Sequence, residues 1–302
     1  MSRTASRPFP AMNDTTPSQP LPLFPEPPSE RIVGGVRISV TDARDALTKA
    51  SGFMDAYDFT CNPYSGCSFG CTYCYAAFFA RGAEAKETWG EWLVAKQNVV
   101  SLLRRKATAG KLEGRKVYLS SVTDPYVPIE REMKLTRGLL EIMSRHDVSL
   151  VVQTRSPLVT RDIDLFRQFR RLRVQITVTT DSEEVRKAFE PKCPANRKRL
   201  DAASELVAAG VPTRLTLTPL LPIEDVDRFA ESLLATGVRE FVVQPFHAER
   251  GKFVRGTREG ALELCERYGW TRGRYGDVVD KLVTRLPTVI KGRDGFLPAE
   301  ER

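Results

Sequence analysis

Four of the six cysteines of this chain lie within fourteen positions, in the stretch CNPYSGCSFGCTYCYA that begins at Cys61. The last three, Cys67, Cys71 and Cys74, have the spacing C-x3-C-x2-C. Thiolates bind iron and zinc well because sulfur is a soft donor. Three thiolates do not complete the four-coordinate site of a structural zinc ion, but they can hold a four-iron cluster whose remaining iron binds a substrate or cofactor. The spacing therefore favours an iron–sulfur cluster with one open iron.

Cys61 leaves one alternative open. If Cys61 supplies a fourth thiolate, the four cysteines form a structural zinc site in a non-enzymatic zinc- or nucleic-acid-binding protein. A disulfide knot is excluded, because the N-terminus MSRTASRPFPAMND lacks the apolar core of a secretory signal. The sequence thus predicts a cytoplasmic protein, and thiols stay reduced in that compartment.

Composition and charge narrow the class of protein. Of 302 residues, 41% are hydrophobic, which is ordinary for a globular chain. No apolar run is long enough for a transmembrane helix, so no membrane partner is expected. The net charge of +8 suits an anionic partner, such as a nucleic acid or a phosphorylated metabolite, and it equally suits a plain basic surface.

From Asp58 onward, short β-rich runs alternate with amphipathic helical segments. Such alternation predicts a parallel sheet with helices packed outside it. Six strands rather than eight indicate an α/β fold of the partial (β/α)6 TIM-type barrel, which is open on one side. Functional residues are expected at the carboxyl ends of the strands. The six strands are centred near Phe59, Val117, Leu150, Val174, Leu215 and Phe241.

The chain divides into four predicted segments. Residues 1–30 form a Pro-rich leader that we expect to be disordered, because eight of the twenty prolines lie in the first 28 residues. Residues 31–57 form an N-terminal extension, and residues 58–246 form the core. Residues 247–302 form a helical C-terminal extension, which caps the barrel or covers its mouth.

Three local elements outside the six strands are also predicted. The N-terminal extension should contain one short strand at 32–40 and a helix at 42–51, for which Thr41 is a suitable cap. After the cysteine stretch, an apolar stripe predicts a helix over 92–107.

The cysteine stretch and its position resemble the signature of the radical S-adenosylmethionine (radical SAM) superfamily. The signature is C-x3-C-x2-C with an aromatic residue, here Tyr73, before the third cysteine, and it follows the first strand of a six-unit βα pattern. Five blocks across about 58–245 resemble the SplB-like branch, which is related to the DNA repair enzyme spore photoproduct lyase. The blocks are NPYSGCSFGCTYCYA, SVTDPYVPIE, QTRSPLVTRDIDL, TVTTDSEEVRKAFEP and TPLLPIEDVD.

This resemblance implies the cofactors and the reaction. Cys67, Cys71 and Cys74 would hold three irons of a [4Fe-4S] cluster, and S-adenosylmethionine would bind the fourth. An electron donor such as flavodoxin or ferredoxin would reduce the cluster. The reduced cluster would then cleave the cofactor to a 5′-deoxyadenosyl radical, which abstracts hydrogen from the substrate. A nucleic acid is one candidate substrate, and a small metabolite or a protein side chain are the others.

The segment after the second strand is a candidate binding site for the amino group of the cofactor. The superfamily often has a GGE-like segment here, whereas this chain has SVTDP, with Ser121, Thr123 and Asp124 as the polar residues. Asp124 equally fits a turn-forming role before Pro125.

Four further residues are candidate cofactor contacts. Arg155 ends the third strand and could pair with the cofactor carboxylate, or it could be an ordinary surface arginine. Thr177 and Thr179 lie on one side of the fourth strand and could bind the ribose, although threonine is also a common strand residue. Tyr73 is expected to contact the cofactor because its position matches the motif.

The remaining cysteines limit the analogy with the lyase. Spore photoproduct lyase uses a cysteine near the end of its second strand as a hydrogen donor, and this chain has no cysteine between Val117 and Glu130. Thymine-dimer repair is therefore in doubt. Cys193, in the loop EPKCP, is the candidate hydrogen donor, with an auxiliary ligand or a bystander as the alternatives. Cys265 is expected in the core, and no catalytic residue is otherwise assigned.

Overall fold

The computed structural model of this chain describes residues 30–246 and 259–300. The predicted leader, apart from Glu30, and the start of the C-terminal extension lie outside the described residues. The strands are β1 (Arg31–Val33), β2 (Val36–Thr41), β3 (Thr48–Lys49), β4 (Phe59–Cys61), β5 (Tyr64–Gly66), β6 (Trp92–Lys96), β7 (Arg115–Leu119), β8 (Val148–Thr154), β9 (Arg171–Thr177), β10 (Thr213–Leu217), β11 (Glu240–Val243) and β12 (Thr288–Lys291). The helices are α1 (Ala83–Glu87), α2 (Val99–Thr108), α3 (Glu130–Met133), α4 (Leu135–Met143), α5 (Ile163–Phe166), α6 (Glu183–Phe189), α7 (Asn196–Ala208), α8 (Val226–Leu234), α9 (Glu259–Arg267) and α10 (Arg272–Arg285).

Eight of these strands form the central sheet, in the order β12-β11-β10-β9-β8-β7-β4-β3. The neighbours from β4 to β12 run parallel, and β3 pairs antiparallel with β4. The run VSLVVQT of β8 is almost entirely buried, as expected for a parallel strand that is covered on both faces. The predicted α/β fold with a partial barrel is confirmed. All six predicted strands are present, and in the described part of the chain β3 and β12 are the open edges of the sheet.

A second sheet of four strands, in the order β1-β2-β6-β5, corrects the prediction of a single strand at 32–40. The segment is a hairpin of β1 and β2. Gly34 and Gly35 both have left-handed backbone angles, with φ of 57° and 73°, and they turn the chain back on itself.

The helix predicted over 92–107 is wrong in its first part. Trp92–Lys96 is strand β6, which pairs with β2 and β5 and buries every second residue. That period of two is typical of a strand, whereas the helical period begins only at Val99, where α2 starts.

The helix predicted at 42–51 is also wrong. The amide of Leu47 donates to the carboxylate of Asp45 at 3.0 Å, and the amide of Ala43 donates to the side chain of Asn98 at 2.7 Å. Side-chain bonds of this kind replace the backbone bonds of a helix and hold a turn instead. The chain then enters β3, which extends the central sheet.

The C-terminal extension contains α9 and α10, as predicted, and also adds β12 to the sheet. After β12, the carbonyl of Gly295 accepts hydrogen bonds from Gln175 at 2.9 Å and Arg214 at 2.8 Å, and the carbonyl of Ala299 accepts from Ser149 at 2.7 Å. Ser149 and Arg214 are the second residues of their strands. This segment therefore caps the barrel at the amino-terminal ends of the strands, opposite to the carboxyl ends.

Strands β3 and β12 come from the two predicted extensions and yet belong to the sheet of the core. The boundaries of the four segments stay a prediction. None of the helices in the described ranges is long and apolar enough to cross a membrane.

Candidate metal centre

Glycines shape the cysteine loop that follows β4 and β5. Gly66 and Gly70 have φ angles of 77° and 61°, which residues with a side chain rarely adopt. A Cβ atom on Gly66 would lie 2.5 Å from the ring of Trp92, and a Cβ atom on Gly90 would lie 2.6 Å from the Cα atom of Gly70. The loop backbone thus packs directly against its neighbours at Gly66 and Gly70, where a side chain would not fit.

The three thiols of the C-x3-C-x2-C stretch lie near one another on this loop. Cys67 and Cys71 are buried and Cys74 is partly exposed. Burial raises the pKa of Cys67 well above its ordinary value and raises the pKa of Cys74 to about 11, and charges on the neighbouring loop thiols add to both shifts. A hydrogen bond with Cys193 instead lowers the pKa of Cys71. The loop therefore gathers three sulfur donors in a largely dry environment.

Cys61 is set apart from these three thiols. Its side chain is completely buried at the end of β4, and its charged neighbours are Lys96 and Asp45. Burial raises the pKa of Cys61 to about 12. Among the described residues, no three His, Cys, Asp or Glu side chains converge on one metal ion, and this holds for the three loop thiols as well as for Cys61. The separate charged neighbours of Cys61 weigh against a zinc site that uses all four cysteines.

The carboxylate of Glu190, which sequence patterns did not single out, joins the cysteine loop to the strand ends. Its Oε1 accepts hydrogen bonds from the Tyr73 hydroxyl and from the Thr179 hydroxyl at 2.9 Å. Its Oε2 forms an ion pair with Arg199 at 2.6 Å, and Arg155 lies 3.5 Å from Oε1. Burial raises the pKa of Glu190, but the two guanidinium groups outweigh burial and hold the pKa at about 2. The carboxylate is therefore ionised at neutral pH.

Three predicted cofactor contacts, Tyr73, Arg155 and Thr179, thus meet at one buried charge. The guanidinium of Arg155 lies 5.9 Å from the centre of the Tyr73 ring, and its side chain is only 19% exposed. Arg155 is therefore not an ordinary surface arginine. Thr177 is placed elsewhere, because its hydroxyl pairs with that of Thr216 at 2.8 Å between two strands.

The segment after β7 contacts the cysteine loop, but its polar groups are largely occupied. Asp124 accepts hydrogen bonds from the Thr154 hydroxyl at 2.7 Å and from the amides of Tyr126 and Arg155, both at 2.8 Å. This arrangement matches the turn-forming interpretation of Asp124. The Thr123 hydroxyl donates to the carbonyl of Gly66 at 2.5 Å.

Ser121 and Ser120 complete this segment. The carbonyl oxygen of Ser121 accepts a hydrogen bond from the hydroxyl of Tyr75, which is the residue that follows the third loop cysteine. Ser120 was missed in the sequence, and it is a non-glycine residue with a φ of 69°. Strained backbone of this kind is common at binding sites.

Two buried hydroxyl groups test whether the site suits a bound group. The Oγ atoms of Ser68, inside the cysteine loop, and of Ser120, at the end of β7, have no hydrogen-bond partner within the described residues. Buried polar atoms are normally paired, so unpaired ones point to a group that binds there. Together with three soft sulfur donors on one loop, they fit a thiolate-held cluster and a polar cofactor.

Cys193 lies directly beside the cysteine loop. Its sulfur is 3.5 Å from the sulfur of Cys71, and both side chains are buried. The loop segment that carries Cys193 is thus part of the site, which its position in the sequence did not reveal.

A model of the Radical SAM superfamily matches residues 61–235, which is more than half of the chain and begins at the cysteine stretch. The chain belongs to the radical SAM superfamily. Enzymes of this superfamily use a [4Fe-4S] cluster and S-adenosylmethionine, so the predicted cofactors are confirmed at the level of the family. Enzymes of this superfamily also need an electron donor, and membership in a superfamily of enzymes weighs against the zinc-binding module.

Individual relatives support the same assignment. An uncharacterized protein of Methanocaldococcus jannaschii is 37% identical over 161 residues, and the match covers 53% of this chain and 60% of that protein. A protein of Pseudomonas phage M6, named a radical SAM Nalpha-GlyT isomerase, is 25% identical over 237 residues, which is 75% of this chain and 45% of that protein. The radical SAM chain thus spans less than two thirds of either relative.

The fold of this radical SAM chain is similar to that of spore photoproduct lyase. The structure of a cysteine-to-serine mutant of the lyase superposes with a TM-score of 0.57, and the match covers 84% of this chain and 81% of the lyase chain at 15% sequence identity. The predicted relationship to the lyase branch is confirmed in the fold.

Proposed function

We propose that Cys67, Cys71 and Cys74 hold three irons of a [4Fe-4S] cluster and that S-adenosylmethionine binds the fourth. The observation that carries this proposal is the set of three neighbouring thiols on a glycine-shaped loop, from which Cys61 is excluded by its position. When bound, the cluster and S-adenosylmethionine would supply a 5′-deoxyadenosyl radical for hydrogen abstraction from the substrate.

The protein's own residues bind and orient the cofactor beside the loop. Glu190 accepts from the Tyr73 hydroxyl and from Nε of Arg155, and Nη2 of Arg155 donates to the Tyr73 hydroxyl at 3.2 Å. The Nη1 group of Arg155 is then the donor that we assign to the cofactor carboxylate. The Tyr73 ring lies next to that guanidinium and offers an apolar surface to the adenine.

The other predicted contacts are assigned according to which of their polar groups already have a hydrogen-bond partner. Thr179 donates its hydroxyl to Glu190 and so acts through Glu190, whereas the ribose contact of Thr177 stays a prediction. The turn that faces the loop is formed by Ser121, Thr123 and Asp124. The hydroxyl of Ser120, just before this turn, has no hydrogen-bond partner within the described residues, and we assign it to the cofactor's amino group.

The substrate that we favour is related to nucleic acid. The support is the net charge of +8 and the similar fold of spore photoproduct lyase, one structure of which is a complex with a dinucleoside spore photoproduct. The absence of cysteine between Val117 and Glu130 argues that the reaction differs from that of the lyase. We place the reaction in the cytoplasm, with flavodoxin or ferredoxin as the electron donor, and the six cysteines are free thiols that suit a reducing compartment.

Metal analysis of the anaerobically purified protein tests this function. We expect about four irons and about four sulfides per chain, with the broad absorption of an iron–sulfur protein. About one zinc per chain without sulfide would contradict the proposal and restore the zinc-site alternative. The matched control is Cys61→Ala, which we expect to keep the full iron content, because Cys61 lies away from the three loop thiols.

A further inference from the structure

The sulfur atoms of Cys71 and Cys193 are 3.5 Å apart, although the two residues are 122 positions apart in the chain. In the described residues, this is the one pair of thiols within hydrogen-bonding distance. A disulfide bond is about 2 Å long, so an approach of about 1.5 Å would join the two sulfurs.

Backbone contacts hold the two segments together independently of any metal. The amide and the hydroxyl of Thr72 both donate to the carbonyl of Phe189, at 2.9 and 3.2 Å. Arg186 donates to the carbonyl of Cys193 at 2.9 Å, and the amide of Cys193 donates to the carbonyl of Glu190 at 3.1 Å. The neighbourhood of the two thiols therefore does not depend on the cluster.

We propose that Cys71 and Cys193 form a reversible disulfide when a peroxide destroys the cluster. This inference rests on the proposed function only in taking Cys71 as a cluster ligand. The two thiols lose two electrons and two protons as the S–S bond forms. One molecule of hydrogen peroxide accepts them, its O–O bond breaks, and two water molecules result.

The disulfide would protect the site from damage that cannot be reversed. A thiol without a neighbouring partner is oxidised through sulfenic acid to sulfinic and sulfonic acids, which thiol reductants do not restore. With Cys193 as the partner, Cys71 stops at the disulfide, which a dithiol reduces by exchange. Cys71 is then available again for reloading of the cluster.

The experiment treats the iron-loaded protein, as purified, with hydrogen peroxide, alkylates the remaining thiols and maps the disulfides without reduction. Chymotrypsin after Phe69 and Tyr73 isolates peptide 70–73, and trypsin after Lys192 and Arg197 isolates peptide 193–197, so each peptide carries a single cysteine. We expect these two peptides to be cross-linked, and the iron content to return after dithiothreitol, iron and sulfide are added.

The variant Cys193→Ser removes the partner, and Cys265→Ser is the matched control. After peroxide, Cys193→Ser should carry Cys71 as sulfinic or sulfonic acid and regain several-fold less iron than the control. Iron content before peroxide is measured for both variants, so that a misfolded variant is recognised. If the parent protein, which needs no substitution, shows Cys71 over-oxidised or linked to Cys67 or Cys74 instead, the proposal is overturned.

The two proposals fail in different ways. If the purified protein holds no iron but the 70–73 and 193–197 peptides still cross-link, the proposed function and the protective role of the disulfide fail, and only the pairing of the two thiols stands. If the protein holds about four irons and the cross-link does not form, the pair fails and the proposed function stands.

Discussion

Each of the variants Cys67→Ala, Cys71→Ala and Cys74→Ala is expected to lose the cluster and, with it, cleavage of S-adenosylmethionine. The three thiols lie together on one loop, and removing one leaves an iron without its soft donor. Loss of residues that only support metal ligands already costs 10- to 100-fold in activity, so we expect a loss of more than about 100-fold. The measurements are iron content and the amount of 5′-deoxyadenosine formed with dithionite.

The same experiment separates these cysteines from Cys61. Because Cys61 is buried next to Lys96 and not next to the loop thiols, Cys61→Ala should retain iron and cleavage. Full iron content in any one of the three loop variants would remove that residue from the ligand set, and loss of iron in Cys61→Ala would favour the zinc-type arrangement.

The second large effect is expected for Glu190→Gln. The substitution leaves Arg199, whose side chain is fully buried, without its carboxylate at 2.6 Å. Breaking a buried ion pair by removing one partner costs about 3–5 kcal/mol in the free energy of unfolding. Arg155 and Tyr73 also lose their shared anchor, so the affinity for S-adenosylmethionine should fall by about 10- to 100-fold, as for other supporting residues of metal sites. Chemical denaturation and a binding titration measure the two effects.

The free energy of unfolding of this variant should depend on pH differently from that of the parent protein at acid pH. The pKa of Glu190 is lowered from 4.5 to about 2, so its stabilising contribution is complete above pH 4.5 and is lost as the pH falls toward 2. Glu190→Gln should remove that part of the pH dependence. The control is Glu184→Gln in the same helical region, where the exposed carboxylate accepts a hydrogen bond from Tyr268 at 3.0 Å, and its change should stay within about 1 kcal/mol. Equal losses in both variants would refute the role of Glu190.

Sequence patterns predicted the parts of this molecule that depend on local residues. The strand VSLVVQT is recognisable because it is largely apolar, and the cysteine loop is recognisable because its spacing is local. Strand β6 was mistaken for a helix because its alternation runs directly into the helical pattern of α2, which begins only a few residues later.

The residues that were missed depend on distant parts of the chain. Glu190 was missed, although its partners Tyr73, Arg155 and Thr179 were predicted as cofactor contacts. Glu190 is 117 positions from Tyr73, and Arg155 and Arg199 come from other places in the fold. No spacing in the sequence connects them. The contact of Cys193 with Cys71 and the strained backbone of Ser120 likewise arise only when the strand ends are brought together.

Electron paramagnetic resonance of the reduced protein, with S-adenosylmethionine labelled at its amino nitrogen and carboxylate oxygens, tests most directly whether one iron of the cluster is open. We expect a four-iron signal that changes on addition of the cofactor and shows hyperfine coupling to both labels, because the three cysteines leave one iron open. A fully loaded cluster whose signal is unchanged by the cofactor, without coupling to either label, would show that S-adenosylmethionine does not bind an open iron.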